Sequence, residues 1–425
     1  MRIILLGGFA LLLHAQQEPQ DLLTRVRAKI AGTINRLTNY MCTETVERAQ
    51  YELDGAGDGA RSCGDLLAHR GTAPQTVSDR LRLDVGVGAN GEIYSWAGEN
   101  HFHDRSLSQF VTEGAISNGS FASFLTMIFT GDQAEFSYDG EKIDGGRRLA
   151  QFAFRVSLQT SHYTFFSRIR VITAYEGTFL VDPNTFDLVR LVIRTKGLPL
   201  ETGACEATTT LDYRRVRLND AEFLLPAATR LQIVDTDGSE RDNHTVFSDC
   251  REFRGESVVT YGAPAETASS TTQVSVAPAL ALPQGLPFEI ALTQNIDTAT
   301  AAAGDRIAAR LDTPIRDHSF RIWAPAGTPV TGRILEVRRL YRPPPVVEIR
   351  IRLESLTIGG TSQPFAAAVR SSGQRYPSTP AFGGIWLRGD RGTATMVLSD
   401  PKHHLVIKRG LKLSWLTDDP SKREP

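Results

Sequence analysis

Residues 177–193 read Gly177-Thr178-Phe179-Leu180-Val181-Asp182-Pro183-Asn184-Thr185-Phe186-Asp187-Leu188-Val189-Arg190-Leu191-Val192-Ile193. Short apolar runs rich in β-branched residues stand on either side of a turn. Asp182-Pro183-Asn184-Thr185 places Pro where its fixed φ suits a type I turn. The stretch predicts strand, turn, strand, and the same period of two runs from Glu135 to Val259. Phe152, Phe154 and Val156 recur at alternate positions, Ile169 and Val171 follow, and Asp237-Gly238 breaks a later pair. Consecutive strands joined by tight local turns predict an antiparallel sheet.

Upstream, Leu81, Leu83, Val85 and Val87 alternate with Arg82, Asp84 and Gly86. Ala89-Asn90-Gly91 then precedes Ile93-Tyr94, so a hairpin is expected, because Asn-Gly supplies the positive φ that tight strand turns require. Two segments carry the helical period instead. From Asp21 to Asn39, Leu22, Leu23, Val26, Ile30, Ile34 and Leu37 recur at spacings of three and four. Phe121, Phe124, Leu125, Ile128 and Phe129 do the same after Ser117 and Asn118 as N-cap candidates, and Gly131 ends the run. Gly55 to Gly59 reads as a loop.

Downstream, Ala263 to Pro283 is rich in Ala, Ser, Thr and Pro and reads as an extended linker. Strand candidates return beyond it at Arg306–Leu311, Val330–Val337, Val346–Leu353, Thr393–Leu398 and Leu405–Leu413. Pro325-Ala326-Gly327, Pro343-Pro344-Pro345 and Gly359-Gly360 punctuate them. The expected organisation is a leader at 1–15, a curved-sheet domain at 16–262, a linker at 263–285, a β-barrel domain at 286–418 and a tail at 419–425. The fold class is mainly β: a curved antiparallel sheet with two or more helices (α+β), followed by a small all-β barrel or sandwich.

Of the 425 residues 41% are hydrophobic and 22% charged, enough apolar surface for sizeable cores. Lys+Arg 47 against Asp+Glu 48 leaves a net charge of -1, which provides no overall basic field and points away from nucleic acid. Arg2 precedes an apolar run from Ile3 to Leu13 and then Ala15 ahead of Gln16-Gln17-Glu18. That is a signal-peptide pattern, too short to span a bilayer, so a periplasmic or secreted protein without a transmembrane segment after cleavage is expected. Cys42, Cys63, Cys205 and Cys250 make an even set for an oxidising compartment, and two disulfides are expected among three connectivities. Local pairing is the simplest choice: Cys42 with Cys63 closes 63 − 42 = 21 residues, and Cys205 with Cys250 closes 250 − 205 = 45.

The N-terminal helix and the meander through Gly177–Thr185 resemble the periplasmic lipoprotein-carrier (LolA-like) class over roughly the first 260 residues. That resemblance implies a strongly curved sheet lidded by helices over an apolar cavity. Cys250, Phe253, Gly255, Glu256 and Ser257 form a Cys-x-x-Phe-x-Gly-Glu-Ser stretch similar to one in uncharacterised secreted bacterial proteins. The segments Gly304–Ile315 and Pro325–Arg333 resemble the β-barrel region of TrbI-type conjugal-transfer channel proteins. The proline-rich tether and membrane-crossing helix of that family are missing here.

Three function classes follow. The leading one is a non-catalytic envelope protein that binds an apolar small molecule or lipid, or an envelope protein partner, with Phe121, Phe124, Leu125, Ile128 and Phe129 lining the ligand site; the competing reading of that stripe is ordinary core. A metal-dependent enzyme would use His101 and His103, which share a strand face at i and i+2, with His162 or Glu99 as a third ligand; the competing reading is an exposed polar loop. A structural envelope-assembly module is the third. His403-His404 point to opposite faces of a strand, Arg388-Gly389-Asp390 reads as a hairpin tip, and Ser257 lacks the flanking residues of a nucleophile elbow. No cofactor motif is present.

Overall fold

The computed structural model describes residues 7–37, 40–53, 61–88, 91–99, 102, 107, 110–111, 114–116, 119–218, 221–252, 282–369, 374–376, 385–390, 392–400 and 404–419. The chain divides into two compact units, Met1–Ser78 with Arg82–Phe253, and Asp79–Leu81 with Arg254–Pro425.

The first unit begins with helix α1 (Gly7–Leu37) and strand β1 (Tyr40–Tyr51), followed by a short helix α2 (Cys63–Ala68). Strands β2 (Gln75–Gly88) and β3 (Gly91–Trp96) form the expected hairpin, with Gly88 opposite Gly91 and Leu83 opposite Trp96. After helix α3 (Ser123–Leu125) come β4 (Ala134–Asp144), β5 (Arg147–Val156), β6 (Thr164–Phe166), β7 (Arg170–Ile172), β8 (Ala174–Val181), β9 (Leu188–Lys196), β10 (Ala204–Leu218), β11 (Ala221–Asp235) and β12 (Glu240–Glu252). Pairing runs β3-β2-β1-β12-β11-β10-β9-β8-β5-β4, a ten-stranded sheet in which β6 and β7 form a separate small ribbon.

The stretch quoted first supplies β8 and β9. Its turn is closed by Phe186 N–H donating to the Asp182 carbonyl at 2.8 Å, while Asp182 Oδ1 accepts from Asn184 N at 2.9 Å. Gly177 is required by close approach: a Cβ there would lie 1.8 Å from the Val192 carbonyl oxygen. The alternation places Phe152, Phe154, Val156, Tyr175, Phe179, Leu191 and Ile193 on one buried face, and Phe152 stacks on Phe179 at 5.2 Å. Val26 and Ile30 of α1 join that core.

The local disulfide pairing expected from the sequence is overturned. Cys42 bonds Cys250 and Cys63 bonds Cys205. Strand neighbourhood decides this, since β1 lies beside β12 and α2 packs near β10. Each bond falls at a register shift. The β1–β12 ladder passes from Met41↔Arg251 to Thr43↔Ser248, leaving an extra residue on β12, and Asp249 there has φ 47°. Cys205 is itself the extra residue between Ala204↔Asp235 and Glu206↔Val234.

The second unit contains β13 (Pro287–Leu292), β14 (Ile296–Asp297), β15 (Arg306–Leu311), β16 (Ile315–Arg316), β17 (Ile322–Ala324), β18 (Pro329–Leu340), β19 (Val346–Ile358), β20 (Thr361–Pro364), β21 (Ala366–Val369), β22 (Gln374–Tyr376), β23 (Ile385–Asp390), β24 (Thr393–Ser399), β25 (Val406–Ile407) and β26 (Lys412–Asp418). Pairing passes from β13 to β15, β18 and β19, then through the nearly continuous β20 and β21 to β26 and back to β13. This ring closes a small barrel around Ile290, Ile307, Val347, Ile349, Leu413 and Trp415. The expected single strand over Leu405–Leu413 is instead broken into β25 and β26, because Gly410 at φ 87° turns the chain between them.

Candidate functional site

The segment from Gly119 to Gly131 lies on the buried face of β5, β8 and β9, as part of one core with them. It is not the regular helix that its spacing predicts. One turn of α3 passes into a π-type turn at Thr126–Thr130, and Phe124 N–H already reaches back five residues to the Gly119 carbonyl at 3.0 Å. The wider turns keep both Phe124-Leu125 and Ile128-Phe129 against the sheet. Phe121, Phe124, Leu125, Ile128 and Phe129 are each at most 2% exposed. Phe129 meets Phe179 edge-on at 5.1 Å, and Phe124 meets Tyr163 at 5.7 Å.

Polar groups clamp the segment at its two ends. At its start the Glu92 carboxylate on β3 accepts from the backbone N–H of Gly119 at 2.6 Å, Phe121 at 2.7 Å and Ala122 at 3.0 Å, and from Tyr94 Oη at 2.6 Å. These N–H groups have no carbonyl of a preceding turn to satisfy them, so an acid side chain there is stabilising. At its far end Arg27 of α1 donates Nε to the Phe129 carbonyl at 3.0 Å and Nη2 to that of Gly131 at 2.8 Å. A guanidinium on the last carbonyls of a helical turn complements their dipole. Lys29, two residues on, pairs with Asp187 at 2.7 Å and ties α1 to the turn before β9.

Beside the Glu92 clamp lies a buried carboxyl. Glu44 on β1 is 5% exposed, and burial, with the neighbouring Glu92 charge adding to it, pushes its pKa up to about 8. Burial also raises the Tyr94 and Tyr213 hydroxyls, again with Glu92 contributing, and Tyr213 Oη has no hydrogen-bond partner among the described residues. The alternation of β1 carried a signal for Glu44: it shares the inward phase with Cys42 and Val46, where a charged residue is unexpected. Glu92 and Arg27 left no such mark, because their partners are backbone groups of a distant segment.

His101 and His103 lie outside the described residues, as do Ser117, Asn118, Ser257 and His403. His162 is exposed and Glu99 half-buried, and among the described residues no group of three or more His, Cys, Asp or Glu is arranged to hold a metal ion. In the second unit His404 Nε2 sits 3.1 Å from Asp297 Oδ1, and Asp297 borders a polar surface cleft of about 340 Å³ with Gln294 and Asn295. Arg388-Gly389-Asp390 ends β23 in register with Thr393–Thr395 of β24. Among the described residues no helix is long and apolar enough to cross a membrane.

No family model and no curated protein matches the chain. Likeness to solved structures is slight, as two of them illustrate. A DUF1329 family protein from Desulfovibrio piger is 11% identical, with a TM-score of 0.28 over 56% of this chain and 92% of that one. A putative outer membrane lipoprotein-sorting protein domain from Vibrio parahaemolyticus is 8% identical, with a TM-score of 0.26 over 54% of this chain and 93% of that one. Likenesses this slight transfer neither fold nor function. Neither is a conjugal-transfer barrel, so the resemblance expected for Gly304–Ile315 and Pro325–Arg333 is not confirmed.

Proposed function

We propose that the first unit is a non-catalytic binding module of the bacterial envelope, taking an apolar ligand on the sheet face that residues 119–131 cover. The observation that carries this reading is the way the cover is held. The side chains it turns to the sheet are apolar, its ends are fixed by the Glu92 and Arg27 side chains, and among the described residues it makes no backbone ladder with the sheet beneath. Lifting the cover breaks a few charge-assisted hydrogen bonds and exposes five buried apolar side chains, about 1.5 to 3 kcal/mol each, which burial of an apolar ligand on the same face must offset, while the sheet keeps every pair. Two disulfides fit an oxidising compartment, which supports a periplasmic or secreted location. We place the connection between the units at 263–285.

The test is saturable binding of a fluorescent fatty acid to the full chain. Glu92→Gln removes the charge that three backbone N–H groups share, costs about 1 to 2 kcal/mol of stability, and increases probe affinity by loosening the cover. Folded protein that binds no probe, as parent and as Glu92→Gln alike, ends the proposal.

A further inference from the structure

We infer that the β6–β7 ribbon of the first unit docks on a bilayer surface rich in anionic phospholipid. The inference stands apart from the apolar-ligand reading, since it concerns the outside of the unit. The ribbon pairs Thr164 with Ile172 and Phe166 with Arg170. Its inner face is ordinary: Phe165 is buried, and Val171 packs against the small core it shares with Ala204, Ala207, Leu231 and Ile233. The outer face is not, because alternation should make it polar. Phe166 is 69% exposed, Ile172 55%, and Ile169 at the tip 41%.

The ribbon's own stretch of chain carries positive charge only. No acidic residue occurs between Asp144 and Glu176. Arg170 stands over the Phe166 ring at 5.9 Å and has no acidic partner among the described residues. Arg168 at the turn shares its field with Asp237. The Arg168 N–H is directed at the Thr202 carbonyl at 3.5 Å. A tip with an aromatic ring, two isoleucines and adjacent guanidinium groups suits the boundary between acyl chains and phosphates. Apolar side chains enter the boundary there while the arginine heads stay at phosphate level.

The experiment is co-sedimentation of the full chain with phosphatidylcholine vesicles with and without phosphatidylglycerol. Binding is expected to the anionic vesicles and to weaken with added salt. Phe166→Ser with Ile172→Ser should lower it by about tenfold or more, and Arg170→Gln should reduce the preference for phosphatidylglycerol. Both changes face outward, so thermal unfolding should be unchanged; if the double variant unfolds early, Ile169→Asp at the tip replaces it with the same expected loss. Glu92→Gln, which tests the ligand reading, should leave sedimentation as it was. Lack of binding to either vesicle overturns the inference, and so does undiminished binding by the ribbon variants. Capture of a soluble envelope protein through Phe166 without vesicle binding overturns it too.

Discussion

The two units fill their interiors differently. In the barrel the buried side chains are almost all aliphatic, with Phe288, Phe365 and Trp415 among them, and most lie on strands paired on both sides. Its buried Arg333 is fully engaged, donating to Glu354 at 3.2 Å and to the Gly304 carbonyl at 2.9 Å. In the first unit part of the core comes from α1 and from residues 121–129, which cover the sheet without pairing to it, and rings replace much of the aliphatic packing. A barrel core cannot be opened without breaking ladders. A covered sheet can, and the proposed binding site in the first unit rests on that contrast.

The strongest way to break this contrast uses the cysteines, all four of which lie in the first unit. The bonds close 208 and 142 residues of chain, and loss of either should cost about 3 to 5 kcal/mol. Under reductant the full chain should show its first-unit transition move down in temperature while the barrel transition stays. A calorimetric scan in which both move together would mean that the units do not unfold separately. Next in size is Phe124→Ala. With that ring 1% exposed, the change leaves a cavity and should cost about 3 to 5 kcal/mol by denaturant titration. A loss below about 1 kcal/mol would show that the cover is hardly packed at all.

The buried carboxyl gives the third test. Glu44 ionises near 4.5 when unfolded and near 8 when folded, so below about pH 4.5 both states are protonated and nothing is lost. As pH rises from there to about 8, the unfolded chain releases the proton and the folded chain keeps it, so stability falls. Glu44→Gln stays neutral throughout. It should flatten that slope and make the unit more stable at pH 8 by about 2 to 4 kcal/mol, measured by urea titration at several pH values. A parent protein whose stability does not decline across this window would place Glu44 in a wetter site.

These tests rest on features that the sequence shows unevenly. Strands were legible where alternation ran on, as in Arg306–Leu311, because side-chain phase fixes which face is buried, whereas in Leu188–Ile193 strict alternation begins only at Leu191. The disulfides were not. Closure entropy grows only with the logarithm of loop length, so a loop of 21 residues and one of 142 differ by about 1.7 kcal/mol, and strand neighbourhood overrides it. The Phe121–Phe129 stripe was legible as a buried face but not as a π-type turn, because apolar spacings of three and four fit an α-helix equally well. Glu92 and Arg27 act on main-chain groups about 30 and 100 residues away, which no local pattern encodes.

The smallest effect compares one aromatic residue in each unit. Phe186 has φ 59° and Phe320 φ 63°, a left-handed backbone that costs a bulky residue roughly 1 to 2 kcal/mol. Phe186 recovers this by packing on the first-unit core beneath the Arg25 guanidinium at 5.4 Å. Phe320 is 74% exposed and touches Arg316 at 5.6 Å, while Asp317 holds its loop by accepting from Ser319 N at 2.9 Å and Arg321 N at 3.0 Å. Glycine relieves the strain at either site and raises the entropy of the unfolded chain by a comparable amount. What differs is the packing lost. Phe186→Gly should therefore destabilise its unit by about 2 kcal/mol, whereas Phe320→Gly should shift the barrel by no more than about 0.5 kcal/mol in either direction. Equal losses at both sites, read from the two unfolding transitions, would mean that the Phe320 ring is packed as firmly as the Phe186 ring, and the contrast between a ring that serves its core and one that does not would fail.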